Sequence, residues 1–147
     1  MYCTRKLTEQ VWWVGGSDRR LALFENLFPI TRGVSYNSYL ILDEQTAVVD
    51  TVDSSISRQF LENVLHTLDG RPLDYLVINH MEPDHCASIE TLLLRFPTLK
   101  LVGNAKTFAF MGQFYDFPLD GRTVTVKEGD TPVSYTHLRA HETDQYL

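Results

Sequence analysis

A chain of 147 residues accommodates one domain or part of a larger one, and 44% hydrophobic with 22% charged residues is an ordinary globular balance. The net charge is −6 and the basic residues are scattered, so no basic stripe exists to neutralise phosphates, which argues against nucleic-acid binding. No apolar run is long enough to span a bilayer, residues 1–10 hold no signal core, and Cys3 and Cys86 form no Cys-x-x-Cys pair; a cytoplasmic protein without structural disulfides or membrane contact is expected.

Taken in order, residues 10–14 are rich in aromatic and β-branched side chains and predict a strand, with Trp12 and Trp13 as packing residues. Residues 15–18 open on Gly15 and Gly16 and predict a turn. Residues 21–29 are apolar without a clean period and read as a loop. Residues 35–42 predict one strand, Asp43, Glu44 and Gln45 a hairpin turn, and residues 46–50 the returning strand, ending in the carboxylate of Asp50. The period then changes. Asp53, Ser54 and Ser55 offer N-cap side chains, and Ile56, Phe60, Leu61, Val64, Leu65 and Leu68 fall on one helical face, which Gly70 and Pro72 end. Residues 73–78 predict a buried strand, 88–96 a helix with Ile89, Leu92, Leu93 and Phe96 inward, and 99–102 another strand. Asn104 caps a further helix, and residues 121–127 alternate like a half-exposed strand. This succession predicts a mixed, layered α/β fold.

One stretch concentrates the chemistry. Residues 79–85 run Asn79, His80, Met81, Glu82, Pro83, Asp84, His85, directly after the buried strand at 73–78. A site at the carboxyl end of a strand is where such folds place their ligands. His80 and Glu82 are two apart and share a side in extended backbone, and Pro83 keeps Glu82 extended. Two neighbouring metal sites are one solution, with His80 and Glu82 on one ion and Asp84 and His85 on the next. Imidazole with carboxylate suits iron, manganese or zinc. A hydrogen-bonded turn without metal is the alternative. Cys86 reads as a small buried side chain, and His66 as a solvated histidine.

The end of the chain reads differently. Residues 133–143 resemble an in-frame translation of a transposon-type sequencing adapter, so residues 133–147 are expected to be a non-native tail. On that reading His137 and His141, four apart and superficially a helical metal pair, are not ligands.

The motif at 80–85 is similar to the His-x-His-x-Asp-His signature of the metallo-β-lactamase superfamily, with Glu82 in place of the second His. His-x-Glu-x-Asp-His is the form found in the flavodiiron proteins (A-type flavoproteins). Residues 31–40, 48–51 and 75–80 resemble that family as well. The resemblance implies an αββα metallo-β-lactamase-like sandwich, of which residues 1–132 would form the N-terminal part and only the first half. It implies two non-haem irons held by His80, Glu82, Asp84 and His85, with Asp50 supporting the metal loop from behind; a plain strand-end role for Asp50 is the alternative. It further implies FMN on a C-terminal domain of the partner subunit, a homodimer or larger assembly, dioxygen or nitric oxide as substrate, and rubredoxin or another redox protein as electron donor. Residues 24–28 would border the gas pocket or pack in the core. A zinc hydrolase of the same fold is the competing enzyme, disfavoured by Glu82. An inactive fragment with an incomplete metal site is the third reading.

Overall fold

The computed structural model describes residues 2–24 and 26–131. Its frame is a seven-stranded mixed sheet in the order β1 (Arg5–Lys6), β2 (Val11–Trp13), β7 (Tyr39–Leu42), β8 (Thr46–Val49), β9 (Tyr75–Val77), β10 (Lys100–Gly103), β11 (Thr123–Thr125). From β1 to β8 neighbours run antiparallel, and from β8 to β11 they run parallel. The cause is connection length. Three residues join β7 to β8 as a hairpin, whereas β8 to β9, β9 to β10 and β10 to β11 are joined through helices, which return the chain to the same end of the sheet.

Those helices are α1 (Ser57–Leu68), the short α2 (Pro83–Cys86), α3 (Ile89–Arg95) and α4 (Ala105–Phe114). The register aligns Leu40, Val48, Leu76 and Leu101 in one row across four strands. This row packs against Phe60, Val64 and Leu68 of α1 and Ile89, Leu92 and Leu93 of α3 to form the core. The expected apolar face of α1 is buried at Ile56, Phe60, Val64 and Leu68, while Leu61 and Leu65 are half-buried. Asp53 caps a 3-10 turn (Ser54–Ile56) by accepting from the Ser55 N–H, and α1 follows directly. Asn104 caps α4 by accepting from the Thr107 N–H at 2.8 Å.

Three local expectations differ from the structure. Residues 15–18 are not a turn: Gly16–Asp18 forms β3, paired with β6 (Val34–Tyr36) in a separate two-stranded sheet. The glycine at 15 answers a close approach, since a Cβ there would stand 2.0 Å from the Tyr36 carbonyl oxygen. Gly33 likewise has φ of +75° and backs onto the Asp18 carbonyl. For the same reason residues 35–42 are two strands, broken at Asn37 and Ser38, with β6 serving the small sheet and β7 the large one. Within residues 21–29, β4 (Leu23–Phe24) pairs antiparallel with β5 (Phe28–Pro29), and Leu27 and Phe28 are exposed. Phe24 and Phe28 therefore join neither the core cluster nor the cavity beside His80.

The tail expectation for residues 133–147, with His137 and His141, lies outside the described residues. Among the described residues no helix is long and apolar enough to cross a membrane.

Candidate metal centre

Three parallel strands deliver the site. Asp50 follows β8, Asn79 and the cluster follow β9, and Asn104 follows β10, all at the carboxyl end. Asp50 adopts φ of +54°, a conformation that Asp tolerates better than most residues. This turns its carboxylate onto the neighbouring strand end. Oδ1 accepts the Asn79 backbone N–H at 2.8 Å, and Oδ2 lies 3.3 Å from His85 Nδ1 and 3.4 Å from Asn79 Nδ2.

The cluster folds as its proline dictates. Glu82 is extended (φ −70°, ψ 150°) and precedes a single helical turn, Pro83–Cys86, with Pro83 at the first position where its missing N–H is harmless. The turn is bonded at both ends: the His85 and Cys86 N–H groups donate to the Glu82 carbonyl at 2.9 and 3.0 Å. The His85 carbonyl in turn accepts from the Thr51 N–H at 2.7 Å and the Thr51 hydroxyl at 2.8 Å. Behind the turn Cys86 is buried, as expected of a small packing residue. Its thiol donates to the Met81 carbonyl at 3.1 Å, and the Tyr115 hydroxyl donates to the Cys86 carbonyl at 2.9 Å. Burial pushes the titration of both the Cys86 thiol and the Tyr115 hydroxyl up, so both remain protonated donors at neutral pH.

The four candidate ligands fall into two pairs. His80 Nε2 stands 3.1 Å from Glu82 Oε2, and His85 Nε2 stands 3.5 Å from Asp84 Oδ2. The two imidazoles meet edge to face with centroids 5.2 Å apart, so the pairs are neighbours. Two donors sharing one first-row ion, bound at about 2.0–2.2 Å and at right or tetrahedral angles, stand about 2.8–3.6 Å apart. Both pairs meet that separation. Among the described residues no group of three or more His, Cys, Asp or Glu side chains converges as a ready cage. The donor set thus fits one edge of each of two ions, not a closed site.

A carboxylate at Asp50 can only accept, so His85 presents Nδ1–H to it, and a metal at Nε2 would take the place of any proton shared there with Asp84, 3.5 Å away. The hydrogen bond to Asp50 is the main cause that raises the His85 titration above its ordinary value; the Asp50, Asp84 and Glu82 charges add to it, and burial opposes it. Beside His80 and Glu82 opens a cavity of about 310 Å³, whose far wall is Thr107, Phe110 and Phe114 of α4.

Sequence reasoning missed Asn63, Thr51 and Tyr115. Asn63 is fully buried on α1, where Nδ2 donates to the Val14 and Gly15 carbonyls at 3.0 and 2.9 Å and Oδ1 accepts the Cys3 N–H at 2.9 Å. A polar residue beside Phe60 and Val64 on the apolar side of a helix was the available signal. Thr51 and Tyr115 act through backbone contacts across 34 and 29 residues, for which one sequence offers no signal. His66 is exposed, as expected, and stacks on the exposed Tyr2 with ring centroids 3.9 Å apart.

Comparison with known proteins gives the class first. Residues 34–143 match the family described as ODP family beta lactamase, a span that takes in most of the tail segment described above. The solved flavodiiron protein of Giardia intestinalis superposes with a TM-score of 0.76 at 26% identity, covering 87% of this chain and 31% of that one. Rubredoxin oxygen:oxidoreductase from the anaerobe Desulfovibrio gigas superposes with a TM-score of 0.75 at 26% identity, covering 87% and 32%. The anaerobic nitric oxide reductase flavorubredoxin of Pectobacterium atrosepticum is 34% identical over 129 residues, 87% of this chain and 25% of that protein. The chain belongs to the ODP beta-lactamase family, and its fold is the metallo-β-lactamase-like domain of the flavodiiron proteins. It spans about a quarter of the length of the curated relatives it matches.

Proposed function

We propose that this chain is the iron-holding part of a flavodiiron oxidoreductase that reduces dioxygen to water, nitric oxide to nitrous oxide, or both. In this reading His80 and Glu82 hold one non-haem iron and Asp84 and His85 a second. The observation that carries it is Glu82, the carboxylate that pairs with His80 at 3.1 Å where a zinc hydrolase of this fold has a histidine. A carboxylate in each pair offsets cationic charge and suits a hard, redox-active metal.

Bound there, two irons would supply two electrons and the open coordination that a diatomic gas needs, and the further two electrons for dioxygen would come from the flavin and donor. The chain's own residues supply the rest. Asp50 fixes the His85 tautomer and, through Asn79, the start of the ligand loop. Thr51 pins the His85 carbonyl. The cavity bounded by His80, Glu82, Phe110 and Phe114 gives a small molecule a route to the His80–Glu82 pair.

The remaining parts of the reading rest on the resemblance of the 80–85 motif to the flavodiiron proteins. They are FMN on a further domain from the partner subunit, a homodimeric or larger assembly, a rubredoxin-like donor and a cytoplasmic setting. Residues 1–132 would then be the N-terminal part of the iron domain, with the remaining ligands and the flavin domain encoded downstream, and residues 133–147 a non-native tail. The test is to recover the uninterrupted reading frame, express its product, and follow dioxygen and nitric oxide uptake with a reduced donor. Uptake that falls at least tenfold in Glu82→Ala is expected. Hydrolase activity with no gas uptake would sink the proposal.

A further inference from the structure

The turn that carries the candidate ligands is tied to its own strands by Asp50 and Thr51. Tyr115 reaches it from elsewhere. This residue ends α4, with its N–H bonded to the Met111 carbonyl at 3.0 Å, and Phe117 packs against its ring at 5.1 Å. Its hydroxyl donates to the Cys86 carbonyl at 2.9 Å and lies 3.3 Å from Cys86 Sγ. The Cys86 thiol then donates to the Met81 carbonyl at 3.1 Å. Met81 stands between His80 and Glu82, and Cys86 immediately follows Asp84 and His85. The relay from Tyr115 through Cys86 to Met81 thus touches the backbone beside both donor pairs.

We infer that Tyr115 and Cys86 are positioning residues, forming a hydrogen-bonded brace that sets the spacing between the His80–Glu82 pair and the Asp84–His85 pair. The inference rests on the two-iron reading for its functional meaning, but the brace itself is a property of the metal-free chain. Without the thiol, the Met81 carbonyl loses its side-chain bond to the helical turn, and among the described contacts the first pair is then held to the second through the Glu82 carbonyl alone. Without the phenol oxygen, the Cys86 carbonyl at the end of α2 loses its bond to α4. Supporting groups behind ligands of this kind typically change metal affinity by about 10- to 100-fold when removed.

The test uses the whole 147-residue chain with three substitutions: Tyr115→Phe, Cys86→Ala and Cys86→Ser. In the 15N-labelled, metal-free chain, the His80 and His85 ring resonances and the cross-peaks between the two rings report the spacing of the pairs. Tyr115→Phe and Cys86→Ala are expected to shift these signals and weaken the cross-peaks. Cys86→Ser, which keeps a small donor, is expected to restore them, a rescue that general loosening of the fold would not produce. Wild-type signals in both Tyr115→Phe and Cys86→Ala would overturn the inference, as would failure of Cys86→Ser to differ from Cys86→Ala. If Tyr115→Phe does not fold, the two Cys86 variants decide alone. A second arm titrates cobalt(II) and reads the ratio of the two dissociation constants from the visible absorption. That ratio is expected to change about tenfold in Tyr115→Phe. Because this chain offers each ion only one edge of donors, the ring resonances decide the brace, and metal analysis of the product of the uninterrupted reading frame decides the two-iron reading.

Discussion

Asp50→Asn isolates one charge at the heart of the site. The substitution keeps shape, and Asn tolerates the left-handed backbone that Asp50 occupies at φ +54°. Its amide oxygen can still accept the Asn79 N–H, now taken by Oδ1 at 2.8 Å. The other arm becomes an NH2 group, facing His85 Nδ1 where Oδ2 now stands at 3.3 Å. Two donors cannot bond, so His85 must move its proton to Nε2, the nitrogen facing Asp84. A hydrogen bond to a charged group is worth about 1.5–3 kcal/mol and a neutral one about 1. The tautomer preference therefore shifts by about 1–2 kcal/mol, roughly 5- to 30-fold, since 1.4 kcal/mol is a factor of ten. Metal affinity at the Asp84–His85 pair should fall by a similar factor, because Nε2 must first lose its proton. Long-range 1H–15N spectra of His85 read the tautomer directly, and cobalt(II) titration reads the affinity. His85 that keeps its proton on Nδ1 in the variant, with unchanged cobalt binding, would refute the role given to Asp50.

Three further outcomes follow from the structure. Asn63→Ala removes the bonds to the Val14 and Gly15 carbonyls and to the Cys3 N–H, and at about 1 kcal/mol per bond it should destabilise the chain by about 2–4 kcal/mol in urea unfolding; a loss below about 1 kcal/mol would mean the clamp is not formed. Because the His85 titration is raised in the folded chain, its pairing with Asp50 stabilises the metal-free protein fully below the unfolded value of about 6.5 and loses that contribution as pH rises through the folded value. The stability difference between wild type and Asp50→Asn should therefore shrink with rising pH across this window. In the same window protons compete with metal, so cobalt affinity should rise with pH; a pH-independent affinity there would contradict the assignment of His85 as a ligand.

Much of the site was legible because its determinants are local. Pro83 forces Glu82 into extended backbone, two-residue spacing puts His80 and Glu82 on one side, and the apolar run before them predicts the strand that delivers them. The hairpin at Asp43 to Gln45 and the cap at Asn104 are also short-range chemistry. What escaped depends on partners distant in sequence. Gly15 looks like a turn residue until Tyr36 is laid against it. The strand at 35–42 looks continuous until its two ends are seen to serve different sheets. The short helix Pro83–Cys86 carries a signal, proline at a first helical position with Glu82 extended before it, but four residues are too few for a periodicity. Thr51 and Tyr115 hold the ligand turn through its backbone carbonyls, and a carbonyl has the same identity in every residue, so no sequence pattern marks it.

The central claim is that His80, Glu82, Asp84 and His85 serve iron. The most direct measurement is metal and flavin analysis of the protein expressed from the uninterrupted reading frame, in wild type and in Glu82→Ala with His85→Ala. The account predicts two irons per chain with FMN in the wild type and loss of iron in the double variant. Zinc without iron or flavin, or iron unaffected by the double substitution, would contradict it.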